Sequence, residues 1–195
     1  MRAIALCLFS LTQIAPAMAL DIEKEIAKVE ARELSRSLCR AGERLVFNCR
    51  SGQNIASVCL KPGIASEAPT LQYRQGKSGK LEFAIPSSAD MSAHVGYKNV
   101  QGASDYATYL RFKSGTKSYY AYEASARGPN SPTVGSTRIE PFGVVVLNGG
   151  IRTGSLRCKA GYIANMNEQV LGDTVTKLEE SEDVDPYEIA FPQKP

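Results

Sequence analysis

The hydrophobic period of the chain changes near residue 44. Before it, Ile22, Ile26, Val29, Leu34 and Leu38 recur at spacings near three and four among charged residues of both signs. That spacing predicts one amphipathic helix within residues 20–41, with Gly42 as its stop. Lys24 and Lys28 repel across one turn, so this helix needs a surface to dock on. From Arg44 onward the period is two, and glycine-bearing turns recur. Eight strands are expected in four hairpins: 44–50 with 54–61, 70–75 with 80–85, 106–113 with 117–125, and 142–147 with 151–158. Asn148-Gly149 is the strongest of the turn signals, because both residues tolerate positive φ. The expected fold is mainly β. It is a small eight-stranded antiparallel barrel or sandwich built of hairpins over residues 42–166, preceded by one N-terminal helix. After Tyr162 the pattern fades, and residues 167–195 read as an acidic, mobile tail.

Two hairpins carry register expectations. In the third, a three-residue loop at Ser114-Gly115-Thr116 sets Lys113 against Lys117 and Leu110 against Tyr120. Thr108, Leu110, Phe112, Tyr120 and Tyr122 then share a core face, and Tyr109, Arg111 and Tyr119 share a solvent face. In the first, a loop of the same length sets Arg50 against Asn54. Cys49 and Cys59 then stand four residues apart along the ladder, about 13 Å at strand rise, too far for a disulfide.

That spacing matters because of the start of the chain. Met1-Arg2 precedes an apolar run that ends in Pro16 and the small-x-small triplet Ala17-Met18-Ala19. Residues 1–19 read as a secretory signal peptide, with Leu20 as the expected mature start and a periplasmic or secreted destination. No later stretch is apolar enough to span a membrane as a helix. Four cysteines follow the leader: Cys39, Cys49, Cys59 and Cys158. An even number in an exported chain reads as two disulfides with three connectivities. The register argument removes Cys49–Cys59, and of the two remaining connectivities the preferred one is Cys49–Cys158, joining first and last strands, with Cys39–Cys59 pinning the helix. A metal site is not expected, since no C-x-x-C pair exists and His94 is the only histidine.

Charge is uneven. Between Cys39 and Asn167 sixteen basic residues face seven acidic ones, whereas from Glu168 onward eight acids face Lys177 and Lys194. A basic body thus carries an acidic tail, which suits binding to an anionic surface or a tail folded back on the body. Catalytic signals are weak. His94 near Asp90 lacks a nucleophile elbow, and Glu82 and Glu123 fall on the polar phase of their strands. No phosphate-cradling glycine loop opens a helix, so no cofactor is expected. The tyrosines interleaved with Arg and Lys are not taken as a nucleic-acid surface, because Tyr120 and Tyr122 look like core.

Phe47-Asn48-Cys49, Ser57-Val58-Cys59 and Leu71-Gln72-Tyr73-Arg74-Gln75-Gly76, with the late Cys158, form a Cys–Cys–QYR-x-G pattern. Over residues 45–158 this resembles a family of exported bacterial β-rich proteins without a characterised activity. The resemblance implies an exported β fold and no site residue. The architecture is more loosely similar to small periplasmic barrels that inhibit lysozyme, whose reactive-loop motif has no counterpart here. The expected function is a non-enzymatic, exported binding domain for an envelope macromolecule or anionic surface, using Tyr97, Lys98, Arg127 and Arg138. The alternative is a periplasmic inhibitor or immunity-type protein that blocks a cell-wall-degrading enzyme.

Overall fold

The computed structural model describes residues 15–64, 68–85, 94–131, 135–159, 163–164, 166, 171, 179–180 and 184–191. The expected leader before Ala15, most of the expected tail and the Asp90 neighbourhood lie outside the described residues. The described residues fall into two compact units, divided between Arg32 and Glu33. Helix α1, Ala15–Ser35, belongs mostly to the first. It ends at Ser35, before the residue 41 limit that the period suggests. There Ser37 donates its hydroxyl to Leu34 O at 2.8 Å, and Leu38 N–H turns to Ser57 Oγ at 3.0 Å.

The second unit is a two-sheet sandwich. The first sheet has the order β11-β1-β2-β3-β4, from Ile163–Ala164, Arg44–Ser51, Asn54–Lys61, Thr70–Lys77 and Lys80–Ile85. The second has the order β10-β9-β7-β6-β5-β12, from Ile151–Arg157, Phe142–Asn148, Lys117–Ser131, Tyr106–Ser114, Val95–Gln101 and Glu179–Glu180. Strand β8, Gly135–Ile139, pairs only with the far half of β7. All pairings are antiparallel except β5 with β12. The sheet edges do not join, so the barrel alternative falls. Cys49–Cys158 and a Lys159 N–H···O=C Arg50 bond of 3.0 Å tie β1 to the last hairpin instead of a ladder. Cys39–Cys59 is the other disulfide. The four hairpins are present, but β5 and β8 arise in segments expected to be connections.

Between the sheets, Val46, Phe47, Val58, Leu71 and Tyr73 pack on Leu110, Phe112, Ala121 and Val144. Tyr73 lies 5.7 Å from the Phe112 ring and 5.4 Å from that of Tyr119. The row Cys49–Ala56–Gln75–Phe83 crosses the first sheet. One end of it is bonded to Cys158, at the far end of β10. The other end meets Tyr119, beside the turn between β6 and β7. The strands of the two sheets therefore cross steeply.

The hairpin registers differ from expectation by one residue, for one reason. Ser51 pairs with Asn54 and Ser114 with Lys117, so both turns have two residues, not three. Gly52 and Gly115 take the first turn position with φ of 61° and 60°, a backbone that L side chains rarely adopt. Leu110 consequently faces Ala121, and Arg111 faces Tyr120. Leu110 and Phe112 do point into the core, but Tyr119 shares their face and Tyr120 the opposite one.

That opposite face is not solvent. Ala107, Tyr109, Tyr120, Tyr122, Val145 and Leu147 form a second buried cluster with Ile189 and Ala190. The cover is helix α2, Pro186–Ala190, whose N-cap Asp185 accepts from Tyr187 N–H at 2.8 Å. Tyr109 donates its hydroxyl to Val184 O at 3.0 Å, and Arg152 donates to Ile189 O at 3.3 Å. The described part of the tail is thus docked, where a mobile segment was expected. Arg111, expected on a solvent face, is 1% exposed and lies against Gly96, where a Cβ would sit 3.0 Å from its Nη2.

The outer face of the first sheet is covered too. Ser57 donates to Asn48 Oδ1 at 3.0 Å within a buried polar row that ends at Arg74. The Arg74 guanidinium meets both Glu43 oxygens at 2.7 Å and also donates to Leu38 O at 2.8 Å and Gln72 Oε1 at 2.7 Å. Such a fork is the geometry in which a buried pair is tolerated.

Candidate binding surface

The four candidate residues do not form one site. Tyr97 and Lys98 lie within β5, not in a loop. Tyr97 pairs with Leu110 and packs against the inter-sheet core. Lys98 pairs with Tyr109, and that row reaches β7 at Tyr122. Arg127 stands five residues further along β7, about 17 Å away at strand rise.

Arg127 and Arg138 do share a row. They are directly opposed on the ribbon formed by β7 and β8, which projects beyond the sheet, and both are exposed. Gly128 lets the ribbon close, since a Cβ there would sit 2.6 Å from Thr137 Oγ1. Arg138 is fixed in place. Its Nε and Nη2 donate to the buried Ser125 Oγ at 2.9 and 2.6 Å, and Nη2 also donates to Ser104 O at 3.0 Å. Glu140 approaches it only to 3.8 Å, with both side chains about half exposed. Ser104 and Ser125 escaped the sequence reasoning, because neither shows any pattern before the ribbon is folded.

The other chemical candidates separate. Glu82 is exposed on the edge strand β4, whereas Glu123 sits on the inner phase of β7 beside Thr108 and Phe142. The two carboxylates make no pair. Burial pushes the Glu123 carboxyl up to about 7, against the opposing pull of a hydrogen bond from the Met166 backbone N–H. Glu43 goes the other way. Burial raises it, but the Arg74 hydrogen bonds, the Arg40 N–H and the two cations outweigh that and leave it below its ordinary value. Cys39, Glu43 and Cys59 lie close enough together to suggest a metal site. Both sulfurs are spent in a disulfide and the carboxylate is held by Arg74, so this donor set does not suit a cation. His94 opens β5, and its carbonyl accepts from Lys113 N–H at 2.8 Å.

No protein-family model, curated protein or solved structure matches the chain. The residues behind the family resemblance have structural roles here. Gln72 and Arg74 belong to the Glu43 network and Tyr73 to the core. At Gly76, a Cβ would come within 2.1 Å of Lys80 O. Two disulfides fit an extracytoplasmic protein. Among the described residues, no helix is long and apolar enough to cross a membrane.

Proposed function

We propose that the chain is an exported, non-enzymatic binding domain that engages an anionic surface of an envelope macromolecule through the β7–β8 ribbon. The observation that carries this is the direct opposition of Arg127 and Arg138. Like charges facing one another across a ladder cost stability. Here one of the two is additionally immobilised by three hydrogen bonds, so its charge is presented in a fixed position. An anion between the two guanidiniums would offset the repulsion and accept from Arg127.

The test is co-sedimentation of the protein with phosphatidylglycerol vesicles, using phosphatidylcholine vesicles as the control. Binding should be specific to the anionic vesicles and weaken as salt rises. Arg127→Glu with Arg138→Glu should lower it about tenfold, the effect of about 1.4 kcal/mol. Binding that ignores salt and survives both reversals would overturn the proposal. The inhibitor alternative needs the acidic tail as its contact for a basic enzyme. Part of that tail is engaged on the second sheet, so nothing specific in the geometry favours it.

A further inference from the structure

At the turn end of the sandwich the two sheets separate around a cleft of about 410 Å³. Gln75 and Phe83 line it from the first sheet, and Lys117, Tyr119, Asn148 and Thr153 from the second. The volume lies within the ~300–1,000 Å³ range of small-molecule sites. Its apolar wall is aromatic. The Phe83 and Tyr119 rings are 5.5 Å apart, and each packs on Tyr73, at 6.0 and 5.4 Å.

The polar groups are set by the fold. Burial, and beyond it the neighbouring Tyr119, raise the Tyr73 phenol far above its ordinary range, so it stays a donor. It donates to Gln75 Oε1 at 2.8 Å. With that oxygen engaged as an acceptor, the Gln75 amide keeps its two N–H donors for other partners. Two register shifts flank the same cleft, one between Gln75 and Gly76 and one between Arg152 and Gly154. Each places an extra residue on an edge strand, Glu82 on β4 and Thr153 on β10. Bulges of this kind re-aim side chains beside sites. Lys117 sets an exposed ammonium at the rim.

We infer that this cleft binds a sugar ring bearing a carboxylate, as a unit of an acidic glycan. A pyranose offers an apolar C–H face to Phe83 and Tyr119 and hydroxyls to the Gln75 amide, Asn148 and Thr153. Its carboxylate meets Lys117. This rests on the binding-domain reading but uses a different surface from the ribbon, and it narrows the macromolecule to a chemical class.

The test is an amide NMR titration of the protein with an oligogalacturonate, with a neutral oligosaccharide of equal length as comparison. Shifts should centre on residues 75, 83, 117–119, 148 and 153. Gln75→Leu, which keeps the volume, should weaken oligogalacturonate binding at least tenfold, and melts would confirm its fold. Lys117→Met should abolish the preference for the acidic over the neutral oligomer. Arg127→Glu with Arg138→Glu should leave these shifts in place. Shifts absent from the cleft, or confined to the ribbon, would overturn the inference while leaving the ribbon proposal standing.

Discussion

The outer faces of the two sheets are both covered over their central strands, by different chemistry. Over the first sheet the seal is polar and directional, made of the Asn48–Ser57–Arg74 row, the Glu43 fork and the Cys39–Cys59 bond. Over the second it is mainly apolar, with Ile189 and Ala190 set on tyrosines and aliphatic residues and two hydrogen bonds, to Val184 O and Ile189 O, beside them. A polar seal has its strength concentrated in a few atoms, because an unmatched buried charge cannot be rehydrated. An apolar seal spreads its strength over area and fails by degrees. Both hide strand faces whose residues look solvent-facing by alternation alone.

The largest effect should come from breaking the polar seal one-sidedly. Arg74 and Glu43 side chains are 4% and 12% exposed. Arg74→Ala leaves the carboxylate, Leu38 O and Gln72 without their donor and should cost about 3–5 kcal/mol. The double variant Glu43→Leu with Arg74→Met should recover most of that loss, because neither charge is then stranded. Denaturant melts decide it. A double variant as damaged as the single would show that the ion pair does not close this face.

The apolar seal should respond more gently. Ile189→Ala removes the most central contact of α2 and should cost about 2–4 kcal/mol. Tyr109, Tyr120 and Tyr122 lie under this cover and the chain has no Trp, so the rise in tyrosine quenching relative to the unsubstituted protein reports its opening. Quenching should rise in Ile189→Ala and stay unchanged in the Glu43/Arg74 double variant. Equal quenching in both would mean that the two covers are coupled.

The same contrast explains what was legible in the chain. The four hairpins and the core phase of Leu110 and Phe112 follow from period two and turn glycines. Distance removes the Cys49–Cys59 pairing, and a one-residue slip does not bring those two cysteines within reach, so the preferred pairing Cys39–Cys59 with Cys49–Cys158 survives the change of register. The identity of the facing residue is more fragile. Placing Gly115 first in a two-residue turn exchanges the roles of Tyr119 and Tyr120. The covers are harder still. Arg74 and Glu43 are 31 residues apart with no local pattern between them, and α2 is too short for helical periodicity to show. At the candidate site, Gly128 and Pro129 read as loop signals. The ribbon tolerates them because it stands outside the sheet, where a missing ladder donor costs little.

Glu43 and Glu123 carry the contrast into pH dependence, with opposite signs. Glu43, held below its ordinary value of 4.5 by Arg74, supports the fold above that value and stops doing so as pH falls through its lowered pKa. Glu123 is the reverse. Its folded pKa is raised from 4.5 to about 7, so the native state binds a proton that the unfolded chain has already released. Its contribution is complete below about pH 4.5 and is lost as pH rises through about 7. Stability should therefore fall by on the order of 1–3 kcal/mol from about pH 5 to about pH 8. Glu123→Gln, permanently neutral, should flatten that limb and leave the acid limb intact, whereas Glu43→Gln should do the converse. Urea melts from below pH 4.5 to about pH 8 measure both slopes. A limb that persists unchanged in Glu123→Gln would mean that the inner face of the second sheet holds its carboxylate charged, with a solvation that the packing around Thr108 and Phe142 does not provide.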